Sequence, residues 1–140
     1  MKRKVFGLII VSIVLVIGFL DASISPEFPI TTEGSDHWYA RIYGDIVVWT
    51  DWRNSPDFRD IYAYNLSKSQ EIRITYESNR HQQDPSVYGD IIVWHDWNTG
   101  GWNADIYGYN LSTSTKFPIC TDNRNQWYPA IYGDIVVWVD

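Results

Sequence analysis

Five aspartates recur in a pattern that could carry chemistry. Asp51, Asp96 and Asp140 each follow a tryptophan by two residues, after Trp49, Trp94 and Trp138. Asp60 and Asp105 come nine residues after the first two. Two carboxylates facing each other across a cleft can split a glycosidic bond. Clustered with carbonyl oxygens, carboxylates can instead hold calcium. The nine-residue interval matches no dedicated calcium loop, and acids that recur with a structural repeat usually serve the repeat. The pattern points instead to turn capping, in which a carboxylate accepts hydrogen bonds from loop N–H groups. No catalytic residue, metal or cofactor is therefore expected. There is also no G-x-S-x-G elbow, phosphate-binding loop or dinucleotide fingerprint. His37, His81 and His95 share no metal-ligand spacing and are expected at the surface or in loops. Cys120 is the single cysteine, which excludes an intramolecular disulfide and reads as a small, half-buried strand residue.

Aromatic residues form the second group. The chain has eight tryptophans and ten tyrosines in 140 residues. Trp49, Trp94 and Trp138 occupy one repeated position and are expected to pack between sheets. Trp38, Trp52, Trp97, Trp102 and Trp127 fall at strand entries and in loops. Beside asparagine and aspartate such rings can stack on sugars, although packing at a rim is the plainer role. Asn65-Leu66-Ser67 and Asn110-Leu111-Ser112 are N-glycosylation sequons. Both recur with the repeat, so asparagine as a strand-ending turn residue is the simpler reading.

Positioning these groups falls to a repeat. Tyr43-Gly44-Asp45-Ile46-Val47-Val48-Trp49 returns as Tyr88 to Trp94 and again as Tyr132 to Trp138. Asp60-Ile61-Tyr62-Ala63-Tyr64-Asn65-Leu66-Ser67 returns as Asp105 to Ser112. Phe28-Pro29-Ile30-Thr31 matches Phe117-Pro118-Ile119-Cys120 two periods later. A period near 45 residues with several short strands is the signature of propeller blades. Each period divides into four antiparallel strands: A (Trp38–Tyr43), B (Ile46–Thr50), C (Asp60–Asn65) and D (Glu71–Thr75). Gly44-Asp45 suits a two-residue type II′ turn. Strand B is apolar on both faces, and hairpin B–C should form the core of each blade. In strand C, Ile61 and Ala63 face one way and Tyr62 and Tyr64 the other. The second blade should start near Gln83, with Pro85 and Pro129 opening their A strands. The expected fold is all-β: a propeller-like array of about two and a half four-stranded blades, near residues 35–75, 80–120 and 126–140, forming an incomplete ring. The A–B and C–D turns share one end of a blade, which also carries the sequons. The longer loops, with His37, Asp51, Trp52, Arg53, Asn54, Asp96, Trp97 and Trp102, share the other end. Long loops on a rigid scaffold are where binding usually resides.

The unit Y-G-D-I-V-V-W-x-D-W followed by D-I-Y-x-Y-N-L-S resembles the repeats of β-propeller surface proteins from methanogenic archaea. These are similar in turn to TolB propeller blades. The resemblance covers residues 28–140 and implies a propeller serving as a binding platform, adhesion module or enzyme appendage.

Lys2-Arg3-Lys4 followed by the uncharged run Val5 to Leu20 is a secretory signal or N-terminal membrane anchor over residues 1–25. Residues 26–140 then lie outside the cytoplasm. They carry eight bases against sixteen acids, a poor match for phosphate, so nucleic acid is excluded as a partner. The function expected is a non-catalytic module at the cell surface that binds protein or glycan, or contributes to the envelope. Its only link to the membrane is the leader. No asymmetric polar cluster in one repeat marks catalysis. A fragment of a longer propeller, or the propeller part of a secreted peptidase or polysaccharide lyase, are the alternatives. The open edge of the last half-blade, at Ile135 to Trp138, invites self-association.

Overall fold

The structure, a computed structural model, describes residues 27–98 and 103–140. The leader and Trp102 lie outside the described residues. Ten strands follow in chain order: β1 (His37–Tyr43), β2 (Ile46–Asp51), β3 (Asp60–Asn65), β4 (Gln70–Arg73), β5 (Arg80–Tyr88), β6 (Ile91–Asn98), β7 (Ala104–Asn110), β8 (Thr115–Cys120), β9 (Trp127–Tyr132) and β10 (Ile135–Val139). They form two four-stranded antiparallel sheets, β1-β2-β3-β4 and β5-β6-β7-β8, and a two-stranded sheet of β9 and β10. The all-β fold and the order of strands A to D follow the sequence expectation.

Local chemistry explains the elements. Gly44, Gly89 and Gly133 carry φ of +53°, +56° and +58°, and the aspartate after each stays outside the left-handed region. This is the φ pattern of a type II′ turn, where only glycine takes the first place without strain. In the middle strand β2, Val47, Val48 and Trp49 are all buried, as expected where both faces are covered. Val48, Ile61 and Ala63 pack against Val87, Ile92 and Trp94 of the second sheet. The opposite face, with Val47, Trp49 and Tyr62, packs on Ile30. Strand β3 therefore alternates as its sequence predicts. The Leu66 N–H donates to the Asp45 carbonyl and the Leu111 N–H to that of Asp90, each at 2.8 Å. These bonds bring the two short turns of each blade to one end. Neighbouring sheets are tied by a second recurring bond. The Gln82 N–H donates to the Arg59 carbonyl at 3.0 Å, and the Gln126 N–H to the Ala104 carbonyl at 2.8 Å.

Three expectations need correction. Strand β5 begins at Arg80 rather than Gln83, and Pro85 and Pro129 lie inside their strands. Register shifts fall between Gln83 and Ser86 and between Val137 and Val139 opposite Pro129, so both prolines occupy bulges. A bulge leaves one residue unpaired, and a proline there forfeits no ladder bond. Tyr39, Asp84 and Tyr128, equivalent positions in the three bulges, all take a left-handed φ between +52° and +58°. The histidines are in strands, not loops: His37 in β1, His81 in β5 and His95 in β6. His37 and His95 are buried, His37 against the carboxylate of Asp51 and His95 against the ring of Trp127. Trp49 and Trp94 are buried as expected, whereas Trp138 remains 37% exposed.

The repeats differ by a matched exchange in packing. Ala63 pairs with Ile72 across β3 and β4, whereas Gly108 pairs with Phe117 across β7 and β8. A Cβ added to Gly108 would meet the Phe117 ring at 2.6 Å. Gly108→Ala should cost about 1–3 kcal/mol through overpacking. The double variant Gly108→Ala/Phe117→Ile should recover most of that loss. Urea unfolding of the full-length chain checks both, and additive losses would contradict the exchange.

Candidate functional site

The aspartates that suggested chemistry end up inside. Strand β2 sets Asp51 directly opposite Asp60 of β3, and β6 sets Asp96 opposite Asp105 of β7. Asp51 and Asp96 are fully buried. Asp51 accepts from the Trp49 indole N–H at 2.9 Å, the Arg53 backbone N–H at 2.8 Å and Arg53 Nε at 2.9 Å. The Ser35 hydroxyl also donates to it at 3.1 Å. The Arg53 backbone contact is the turn cap expected from sequence. Burial pushes the Asp51 carboxyl up, but bonds from Arg53 and Trp49 outweigh it and hold the carboxyl below its ordinary range. Asp60 is pushed up by burial, which outweighs its bonds from Asn54, Arg73 and Thr75. Asp96 is held by Arg80 and, at 3.3 Å, by Lys116. Asp140 pairs with Arg124 at 2.8 Å. Ser35, Arg80 and Arg124 are equivalent positions, each reaching back to the aspartate of its own repeat.

Two carboxylates with divergent titration resemble an acid–base pair. Here both are sealed and matched to cations. Ser35, His37 and Asp51 also sit together without forming a nucleophilic triad. His37 Nε2 lies 3.5 Å from the Ser35 hydroxyl and 3.2 Å from Asp51 Oδ2. A triad requires the two ring nitrogens to serve different partners.

Three of the residues singled out by sequence line one open cavity of about 420 Å³. Trp52, Arg53 and Asn54 form one wall with Ser55 and Pro56, opposite Glu33, Gly34 and Ser35. Arg53 and Asn54 are committed to structure. Arg53 binds Asp51, Glu71 at 2.6 Å and the Thr31 hydroxyl at 3.0 Å. The Asn54 amide donates to Asp60 and to the Tyr62 hydroxyl, each at 2.7 Å. Trp52 belongs to a longer feature, a row of rings crossing all three sheets at the long-loop end. Trp38 lies 6.1 Å from Tyr39 and 5.8 Å from Trp52, and Arg59 stacks on Trp52 at 4.3 Å. Phe58 lies 5.4 Å from His81, and His81 stacks on Trp97 at 5.1 Å. Trp97 in turn meets Trp127 at 6.4 Å.

At the opposite end, Asn65 Oδ1 accepts from the Ser67 hydroxyl and Lys68 N–H, at 2.7 and 3.0 Å. Asn110 Oδ1 accepts from the Ser112 N–H and hydroxyl and the Thr113 N–H, at 2.7–3.1 Å. Both sequon asparagines therefore cap their turns. Cys120 is half-buried in β8 as a free thiol.

Sequence reasoning missed Arg59, which stacks on Trp52 and Trp38 of the aromatic row, and Arg41, on β1 with Trp38. Arg59 takes the place of Ala104 in the next repeat, and Arg41 that of Ser86 and Ala130. Reading the repeats for their differences would have found them.

Comparison with known proteins places the fold. No family model matches the chain, and no curated protein is similar to it. Among solved structures it is similar to a propeller-type oligogalacturonate lyase from Vibrio parahaemolyticus, with a TM-score of 0.52 and 13% identity. The match covers 76% of this chain and 32% of the lyase. At that identity the likeness shows the fold alone, a β-propeller-like arrangement of blades. The chain spans about a third of the lyase's length.

Burial lowers the His95 imidazole to about 4, with the charge of Arg59 adding to the effect. The unfolded chain takes up this proton near pH 6.5 and the folded chain only near 4. Stability from this site is complete above pH 6.5 and falls as pH drops toward 4, by on the order of 3 kcal/mol. His95→Phe should flatten the unfolding free energy between pH 6.5 and 4. An unchanged slope in urea titrations would place the acid sensitivity elsewhere.

Proposed function

We propose that this chain is a non-catalytic binding module exported to the cell surface, whose long-loop end takes a glycan. One observation carries the reading: the aromatic row from Tyr39 to Trp127 beside the cavity walled by Trp52. Flat rings bury the C–H faces of sugars, and their borders supply polar groups for hydroxyls. The opposed aspartates support a non-catalytic role, because both complete repeats spend them on internal ion pairs, each with its own cations. Protein is the alternative occupant of the same end. A propeller belonging to a polysaccharide-cleaving enzyme is the rival reading. Titrating the full-length chain with mannotriose and trimannuronate should quench its tryptophan fluorescence for at least one of them. Trp52→Ala should weaken that binding about tenfold, by loss of one stacking contact. No response to either sugar would remove the glycan reading. Cleavage of oligogalacturonate by the purified chain, with loss on Asp51→Asn, would overturn the non-catalytic one.

The proposal extends to self-association. Val137 is 58% exposed, whereas the equivalent Val48 and Val93 are fully buried. Ile135 is 67% exposed, whereas the equivalent Ile46 and Ile91 are half-buried. The outer edge of β10 pairs with no strand among the described residues. A second copy of the chain is the occupant whose blades match this repeating interface. Val137→Lys should shift sedimentation of the full-length chain toward monomer. A wild-type monomer at micromolar concentration would exclude the contact.

A further inference from the structure

Charge pairing singles out one place on this acidic chain. Eight basic side chains lie among the described residues, against twice as many acids. Arg53, Arg73, Arg80, Lys116 and Arg124 each pair with a carboxylate. Lys68 lies on an exposed turn at the sequon end. Arg41 and Arg59 remain, with no carboxylate within 4 Å among the described residues. Where acids outnumber bases two to one, two unpaired guanidinium groups in one neighbourhood are unlike the pattern elsewhere in the molecule.

Both belong to one site. Arg41 pairs with Val48 and Trp38 with Thr50 across β1 and β2, which sets both on the face that Val48 turns to the second sheet. The charges of both arginines oppose the upward push of burial on the Asp84 carboxyl. Arg59 stacks on Trp52 at 4.3 Å and on Trp38 at 5.6 Å, and its Nη1 donates to the Gln83 carboxamide. Its Nη2 has no hydrogen-bond partner among the described residues, and its buried Nε has none either. The guanidinium is thus fixed in orientation with donors left over. Arg41 is exposed and, among the described residues, donates only to the Ala40 carbonyl, at 3.0 Å. Trp38 and Tyr39, on β1 with Arg41, are 37% and 41% exposed. The left-handed φ of +58° at Tyr39 sets the direction of that ring. The repeat does not require either arginine, since alanine and serine serve at the equivalent positions.

We propose that Arg59 and Arg41, with the exposed rings of Trp38 and Tyr39, form the anchoring subsite for a carboxylated sugar. The planar fork of a guanidinium matches a carboxylate, and a pyranose ring carries that carboxylate beside a face that stacks on an aromatic ring. An acidic peptide would satisfy the arginines but leave the rings without a flat partner. Repulsion from the net negative chain is screened within about 8 Å at physiological ionic strength, so the local pair decides. This inference rests on the glycan-binding reading and names its ligand class.

The test is calorimetric titration of the full-length chain with trimannuronate, with mannotriose as the neutral sugar and triglutamate as the acidic peptide. Trimannuronate should bind at least about tenfold tighter than either control, the usual weight of one charge-assisted contact. Arg59→Gln and Arg41→Gln should each remove about that factor, and Arg59→Lys should restore part of it. Arg41 is exposed, so its variant tests the site without disturbing the core. Equal binding of mannotriose would overturn the acidic subsite while leaving the glycan reading intact. Triglutamate as tight as trimannuronate, or full affinity in both arginine variants, would also overturn it. No binding of any sugar would overturn both.

Discussion

Two carboxylates stand directly opposite each other across the central strand pair of each complete repeat, Asp51 with Asp60 and Asp96 with Asp105. Like charges at such a position repel, and burial makes each costly unless it is paired. Much of the surrounding arrangement follows from this constraint. The first repeat answers with Arg53 on Asp51 and Arg73 on Asp60. The second answers with Arg80, which reaches Asp96 and lies 3.7 Å from Asp105, and with Lys116. The cations come from different strands and loops, yet each fixes the end of the same hairpin. The loops that follow β2 and the segments that precede β1 and β5 are thereby tied to one end of the sheets.

That constraint also separates architecture from recognition. Asp51, Arg53 and Asn54 have the residue types of a site, but their hydrogen-bonding capacity is consumed internally. Glu71 and Lys116 occupy one repeat position with opposite charge. Each balances its repeat, since Arg53 needs a carboxylate partner and Asp96 needs a cation. A charged residue in this molecule is therefore explained by the ledger of its own repeat before any ligand is invoked. Only groups left outside that pairing are available for binding.

How much of this the sequence disclosed depends on the scale of the signal. Strands B and C were legible because Ile46 to Trp49 and Asp60 to Asn65 repeat with fixed alternation and glycine-led turns. The faces of Ile61 and Tyr62 followed from period two alone. The bulges were not legible. Pro85 looked like a strand opener because proline lacks a ladder donor, and the same deficiency suits an unpaired bulge residue. Asp84 and Tyr128 give no warning of a left-handed backbone, because nothing in either side chain requires it. The histidines were misplaced for a related reason. His37 and His95 are polar by type but buried by partnership, with Asp51 and with Trp127, and partnership is a tertiary fact. The membership of Trp52 at the long-loop end was legible from loop length. The commitment of Arg53 and Asn54 to internal bonds was not, because Glu71 and Asp60 are brought to them only by folding.

Repeats supply a reference against which function can be recognised in a single chain. Positions that hold the same residue in each copy, such as Gly44, Gly89 and Gly133, report what every blade needs. Positions that change together report compensation, as Ala63 with Ile72 becomes Gly108 with Phe117. Positions that change without compensation carry a different kind of information. Ala104 shows that the backbone bond from residue 59 to the neighbouring sheet needs no guanidinium, because its own carbonyl makes the equivalent bond to Gln126. An arginine at residue 59, stacked on two tryptophans and with no carboxylate within 4 Å among the described residues, is therefore not required by the repeat. Desolvating a guanidinium without a close ionic partner costs stability; one repeat bears that cost and the next avoids it, and the carboxylate of the proposed sugar would supply the missing partner.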